Sequence, residues 1–186
     1  YQYAPNPTGW VDPLGLSCKQ NAWNEFQKAH KGMFDSPAQA SAAYQKLKKD
    51  ESPWPIGYDY KSNIRLINEG DEFQMIVNCG CEDLPGMFGT FDDISSQEYG
   101  RQQLAIKEGW KSSLDNVVTY RAKKSFYVYE GPVGPQIDGR KYLGGGGTQI
   151  TFVDRSVWAN ARPNEYNDFV DEPYLEIVDV KTLKDK

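Results

Sequence analysis

Apolar and polar positions fall into two regimes along the chain. From Asn21 to His30 and from Ser36 to Asp50 the spacing is helical, with alanines, Tyr44 and Leu47 recurring at one-turn intervals, Ser36 placed to cap and Pro37 at the favoured first helical position. Pro53, Pro55 and Gly57 break that pattern over Ser52 to Tyr60. Asn63 to Leu66 and Glu72 to Val77 then read as short strands around the turn Asn68-Glu69-Gly70-Asp71. Ser95 with Glu98 three residues on forms a capping box, and Tyr99, Leu104, Ala105, Ile106 and Trp110 predict a third helix from Ser96 to Trp110. Beyond it Val117 to Arg121, Ser125 to Glu130, Thr148 to Val153 and Tyr174 to Val180 are alternating or β-branched runs. Helices first, then strands with one helix between, predict an α+β domain with a mostly antiparallel sheet.

Composition supports a folded domain. The 186 residues are 39% hydrophobic and 13% aromatic, with 12 Tyr and 5 Trp, and a chain of this length can hide about 70% of its unfolded surface without staples. No apolar run approaches the ~20 residues that span a bilayer, and a signal-peptide layout is missing, so neither a membrane nor a self-carried address is expected. Lys and Arg total 21 against 26 Asp and Glu, a net charge of -5, which disfavours non-specific nucleic-acid binding. Cys18 stands alone, while Cys79 and Cys81 are too close for an ordinary disulfide and lack zinc-knuckle spacing, so all three read as free thiols. The sole histidine, His30, lies in a Lys-flanked helical stretch and reads as solvated or half-buried. A metal is not expected, and triads that need a histidine base are unsupported.

Residues 1–16 carry turn chemistry instead of periodicity. Tyr-Ala-Pro-Asn-Pro-Thr-Gly-Trp-Val-Asp-Pro-Leu-Gly-Leu, ending at Leu16, is an extended lead-in on its own terms. It also resembles the closing motif of the core in Rhs (rearrangement hotspot) polymorphic toxins. That resemblance implies that 1–16 are the end of an Rhs core, that the core's own protease-like activity cuts after Leu16, and that 17–186 are the toxin domain. It further implies delivery by a contact-dependent system, of the type VI kind, in interbacterial competition, with action in the target-cell cytoplasm and a cognate immunity protein as partner.

The segment from Phe126 to Phe152 joins two strands by a glycine-rich stretch. Gly144, Gly145, Gly146 and Gly147 are a flexible turn, or a backbone bare enough for a planar or phosphorylated ligand to approach; Tyr142 stands just ahead and the strand Thr148 to Val153 follows directly. No helix follows, unlike a Rossmann or P-loop fingerprint. Gly131-Pro-Val-Gly-Pro, a spacer, Tyr142 and then Gly-Gly-Gly-Gly-Thr-Gln149 resemble the C-terminal half of NAD-consuming toxins of the ADP-ribosyltransferase superfamily, notably the tuberculosis necrotizing toxin group. The resemblance implies a split, twisted β core gripping NAD, with Gln149 at the position that acts on the ribose and Tyr142 supporting. Gln149 as a surface residue of a strand is the alternative.

The first half matches less well. Where that group has an Asp-Arg pair, Gly70 to Met75 offers Gln74 or Met75. Arg65 is therefore the candidate guanidinium for the NAD phosphates, against a surface salt bridge, with Arg101 and Arg121 in reserve. Pro85-Gly-Met-Phe-Gly-Thr90 resembles the superfamily's aromatic-plus-hydroxyl strand, in which Phe88 would stack on nicotinamide and Thr90 would buttress the site; an ordinary hairpin is the alternative. The expected activity is NAD-dependent mono-ADP-ribosylation of a bacterial macromolecule, a protein of translation such as elongation factor Tu. An NAD glycohydrolase that drains the pool and a non-enzymatic binding module are the competing classes.

Overall fold

Two antiparallel sheets close on a shared apolar interior. The computed structural model describes residues 17–49, 52–78, 80–154, 156–157 and 173–183, without the side chains of 17–21. The core-ending motif with its cut after Leu16, Cys79, and most of the tail from Asn164 to Glu176 lie outside the described residues. The elements run α1 (Ser17–Ala29), α2 (Pro37–Lys49), β1 (Ile64–Ile67), β2 (Glu72–Val77), β3 (Phe88–Gly89), α3 (Gln97–Gln102), β4 (Asn116–Ala122), β5 (Phe126–Pro132), β6 (Gln136–Asp138), β7 (Lys141–Leu143), β8 (Thr148–Phe152) and β9 (Leu175–Thr182). One sheet has the order β1-β5-β8-β3, the second β2-β4-β9, and β6-β7 is a separate hairpin. Every pairing is antiparallel, so the α+β class with a mostly antiparallel core and N-terminal helices describes the protein. No helix among the described residues is long and apolar enough to cross a membrane.

Alternation along each strand builds the interior. Ile67, Phe126, Val128, Ile150 and Phe152 from the first sheet meet Phe73, Met75, Val77, Val118, Tyr120 and Leu175 from the second. Ile76 and Val117 point the other way, into a second cluster with Ile94, Leu114 and Leu183, against which Tyr99, Leu104 and Ile106 pack. β2 and β4 are thus covered on both faces, which explains why consecutive residues such as Met75, Ile76 and Val77, or Asn116, Val117 and Val118, are buried instead of alternating with exposed ones. The sheets touch through one backbone bridge, in which Gln74 N–H donates to Thr90 O and Thr90 N–H to Gln74 O, both 2.8 Å.

The lead helices form a satellite core. Phe26, Tyr44 and Leu47 bury against Ile137, with Trp23, Phe34 and Tyr142 around them. Ser36 Oγ accepts from Gln39 N–H at 3.3 Å, the cap that its position predicts. His30 is half-buried, stacked on Phe26 at 4.4 Å between ring centroids.

The third helix departs from expectation. It occupies Gln97–Gln102 instead of continuing to Trp110, and its cap is Ser96, whose Oγ accepts from Tyr99 N–H at 3.1 Å, instead of Ser95. Past the cap at Gln103, buried Ala105 adopts φ +47°, a left-handed conformation uncommon for a residue with a Cβ, which turns the chain away from the helix axis. Ile106 N–H then returns to Gly100 O, and Arg101 Nη1 donates to Ile106 O. Strands β3, β6 and β7, of two or three residues, are too short for periodicity to reveal.

The segment 52–58 crosses the loop after β5 with no room to spare. A Cβ on Gly134 would meet the Trp54 carbonyl carbon and oxygen at 2.3 Å, backbone atoms that cannot rotate away. Gly134→Ala is expected to lower unfolding stability by about 1–3 kcal/mol in urea titration, whereas Gly86→Ala, where the added atom meets nothing within 4 Å, stays within about 0.5 kcal/mol.

Candidate active site

A cavity of about 360 Å³ opens where the two sheets part, next to the Gln74–Thr90 bridge. Its volume falls at the lower end of small-molecule sites. β2 contributes Gln74, Met75 and Ile76, β3 and its flanks contribute Phe88 and Thr90, and β8 contributes Gln149; Pro53, Leu104, Ile106, Trp110 and Lys111 complete the wall. Most of these side chains are apolar, and two aromatic rings stand partly in solvent, Phe88 at 47% and Trp110 at 38% exposure.

Gln149 is buried to 6% exposure in this wall. Its Nε2 donates to Pro53 O at 2.8 Å, and the same carbonyl accepts from Gly134 N–H at 2.7 Å. A carbonyl can only accept, so this contact orients the amide: the nitrogen faces the 52–58 segment and Oε1 is the end left for a ligand. Gln136 turns its Nε2 to Ser52 O in the same manner, and its Oε1 is the one buried side-chain oxygen without a partner among the described residues. Two glutamines thus hold successive carbonyls of one segment.

Asp92 anchors the start of β8. Its Oδ2 accepts from Thr148 N–H at 2.7 Å and from Tyr99 Oη at 2.8 Å, while Oδ1 accepts from Thr148 Oγ1 at 2.7 Å. Thr90 Oγ1 in turn accepts from Asp92 N–H at 2.9 Å. Burial alone would raise the Asp92 carboxyl, but the donors from Thr148, Tyr99 and Thr90 outweigh it and hold the group below its ordinary range. Burial, with Asp92 beside it, pushes the Tyr99 phenol up to about 12. Gln74 completes the frame by accepting Ile94 N–H on its Oε1 at 2.9 Å.

The structure brings Gln149, Phe88 and Thr90 together around this cavity and leaves the other expected residues outside its lining. Strand register separates Arg65. Arg65 pairs with Val128 and Val128 with Phe152, three residues from Gln149, whereas Phe88 pairs with Thr151, two residues from it. With a side-chain period of two, Phe88 shares a face with Gln149 and Arg65 takes the opposite one. There Arg65 pairs with Glu130 at 2.8 Å and lies 4.0 Å over the Phe91 ring. The reserves are engaged elsewhere, Arg101 on the carbonyls of Ile106 and Ser112, Arg121 on Glu72 and Glu176.

Tyr142 packs edge-on to Phe26 and His30, seating α1 on the β6-β7 hairpin. Gly144 to Gly147 approach protein, not the cavity. Gly145 N–H donates to Gln102 O, Gly146 N–H to Val133 O and Gly147 N–H to Gln103 O, and Gly147 O accepts from Val133 N–H. At Gly145, φ is +68° and a Cβ would meet Val133 O at 2.5 Å, so the run is a stitched crossing with no freedom of a linker. Asp92, Tyr99, Lys111 and Trp110 carry no sequence motif; their proximity to the site comes from the fold.

No family model matches the chain, and no curated protein does. Among solved structures, Tne2 in complex with Tni2 superposes with a TM-score of 0.50 at 22% identity, over 65% of this chain and 91% of that one. Rhs1-CT in complex with its cognate immunity protein RhsI1 gives 0.38 at 17% identity, over 66% and 80%. Tse6 in complex with Tsi6 gives 0.37 at 11% identity, over 90% and 99%. The Tne2 superposition shows a shared fold.

A depressed carboxyl contributes stability above its unfolded value, ordinarily near 3.8, and that contribution is lost as pH falls through the folded value. The stability gap between wild type and Asp92→Asn is therefore expected to stay constant above about pH 5 and to narrow as pH falls through and below 3.8 in chemical denaturation; a gap that stays constant there would contradict the anchoring charge.

Proposed function

We propose that residues 17–186 are the toxin domain of an Rhs-type protein and that this domain consumes NAD at the cavity holding Gln149. The carrying observation is the oriented amide. With Nε2 committed to Pro53 O, Oε1 accepts a hydrogen bond from a ribose hydroxyl, and Phe88 offers a half-exposed ring on which nicotinamide stacks. The bond from C1′ of the ribose to the nicotinamide nitrogen breaks, its electron pair leaves with nicotinamide, and an acceptor oxygen adds to C1′ and releases its proton. The developing oxocarbenium ion needs positioning, fixed dipoles and exclusion of stray water more than it needs a metal or histidine.

Among the described residues, the lining includes no carboxylate. Water attacking a strongly electrophilic C1′ needs none, so the geometry favours hydrolysis, which ranks second on the sequence alone. Transfer of ADP-ribose to a macromolecule, with elongation factor Tu as the first candidate, is the second reading; the exposed Phe88 and Trp110 at the cavity are the surface that a protein acceptor would meet. A toxin of either kind requires protection of its producer, and a cognate immunity protein is the partner we assign. Tne2, of the same fold, was solved with a second protein bound.

Labelled NAD incubated with the purified chain and bacterial lysate separates these outcomes: free ADP-ribose for hydrolysis, one labelled protein band for transfer, no consumption for a binding module. Gln149→Ala is expected to lower turnover about a hundredfold or more with the fold intact. Gln149→Glu is not expected to rescue it, because a carboxylate would face Pro53 O without a proton to donate. Full toxicity of Gln149→Ala would overturn the site.

A further inference from the structure

Among the described residues, Lys111 is the only ionisable side chain that lines the cavity. It follows Trp110 in the loop that leads from α3 to β4, and its N–H donates to Lys107 O at 3.1 Å, which fixes the turn. Lys107, by contrast, turns its own ammonium onto the outer Trp110 ring at 4.9 Å. Lys111 is half-buried, and among the described residues no carboxylate forms an ion pair with it. Burial pushes its pKa down from the usual lysine value, against a smaller opposing effect of the nearby Cys81 thiol, the mark of an ammonium that has lost water without gaining a carboxylate partner.

An uncompensated cation in an apolar wall is costly to keep. It becomes favourable when an anion arrives, since a charge-assisted hydrogen bond in a low-dielectric cavity is stronger than the same contact in water. The other groups in the wall restrict what that anion is attached to. Phe88 and Trp110 line the cavity with partly exposed rings that suit a planar group, and Gln149 has an amide oxygen for a hydroxyl. Planar ring, sugar hydroxyl and anionic linker together describe a nucleotide. The guanidinium that the sequence nominates for the phosphates, Arg65, is on the far face of its sheet and already paired.

We propose that Lys111 is the anion anchor of this site and that it holds the diphosphate of the bound dinucleotide. This rests on the reading of the cavity as an NAD site, and the test separates the two. NAD consumption by the full chain is measured for wild type, Lys111→Met and Lys111→Arg, beside consumption of nicotinamide riboside, which has the scissile bond and no phosphate. Lys111→Met keeps the apolar stem and so protects the fold. It is expected to raise KM for NAD about tenfold or more while leaving kcat, and KM for nicotinamide riboside, within about twofold. Lys111→Arg restores most of the loss.

Calorimetric titration with inorganic pyrophosphate supplies the independent arm. Wild type binds it and Lys111→Met does not. Unchanged KM for NAD in Lys111→Met would overturn the anchor even with NAD turnover intact. Pyrophosphate binding that depends on Lys111 in a protein inert to NAD would uphold the anchor and overturn the NAD reading. Neither NAD turnover nor pyrophosphate binding in wild type would overturn both.

Discussion

The bridge between Gln74 and Thr90 is the constraint on which the rest of this structure depends. Elsewhere the two sheets are held together by side-chain packing, which is strong in sum and has little direction. At the bridge two backbone hydrogen bonds lock the register of β2 against the end of β3. The sheets part beside this point, and the cavity occupies the opening. Because both bridge residues also use their side chains locally, Gln74 on Ile94 N–H and Thr90 on Asp92 N–H, the loop from Phe91 to Ile94 is drawn onto the opening and carries Asp92 to the first residue of β8. Gln149 follows one residue later.

Two kinds of polar economy operate there. Groups that shape the site are saturated: Pro53 O serves two donors, and Asp92 accepts from Thr148 N–H, Thr148 Oγ1 and Tyr99 Oη. In a medium of low dielectric a saturated network resists distortion, because losing any partner leaves a buried group unpaired. Gln149 Oε1 and the Lys111 ammonium are not saturated in this way, and those are the groups assigned to the ligand. In the proposed reaction, the pre-orientation of the Gln149 amide would spare the reorganisation that a mobile side chain requires during bond breaking.

Legibility differed between residues for physical reasons. Gln149 and Phe88 carry local signals, a glycine run ahead of a strand and an aromatic beside Gly89, and they stand on one face of one sheet. Arg65 also lies on a strand that the pattern reveals, but a strand's period of two does not say which of its faces meets a partner strand two places away. That requires the registers of β1-β5 and β5-β8 together. The glycine run misleads in a different way: bare backbone signals close approach, and the approach is to Val133 and Gln103, not to a ligand. Apolar spacing continues the third helix to Trp110, whereas the left-handed turn at buried Ala105 is a packing decision.

Taken by itself, the amino-acid sequence determined the class of the fold, the two lead helices with the Ser36 cap of the second, the main strands and the identity of the buried amide in β8, since each follows from periodicity, capping chemistry or a contiguous motif. Tertiary structure alone decided where the sheets separate, which face each strand residue occupies, how the Gln149 amide is turned, that Lys111 lines the same cavity and that Asp92 holds the residue before Gln149. Those properties arise from contacts between residues far apart in the chain, Pro53 with Gln149 and Asp92 with Thr148, and long-range hydrogen bonds leave no periodic trace in sequence.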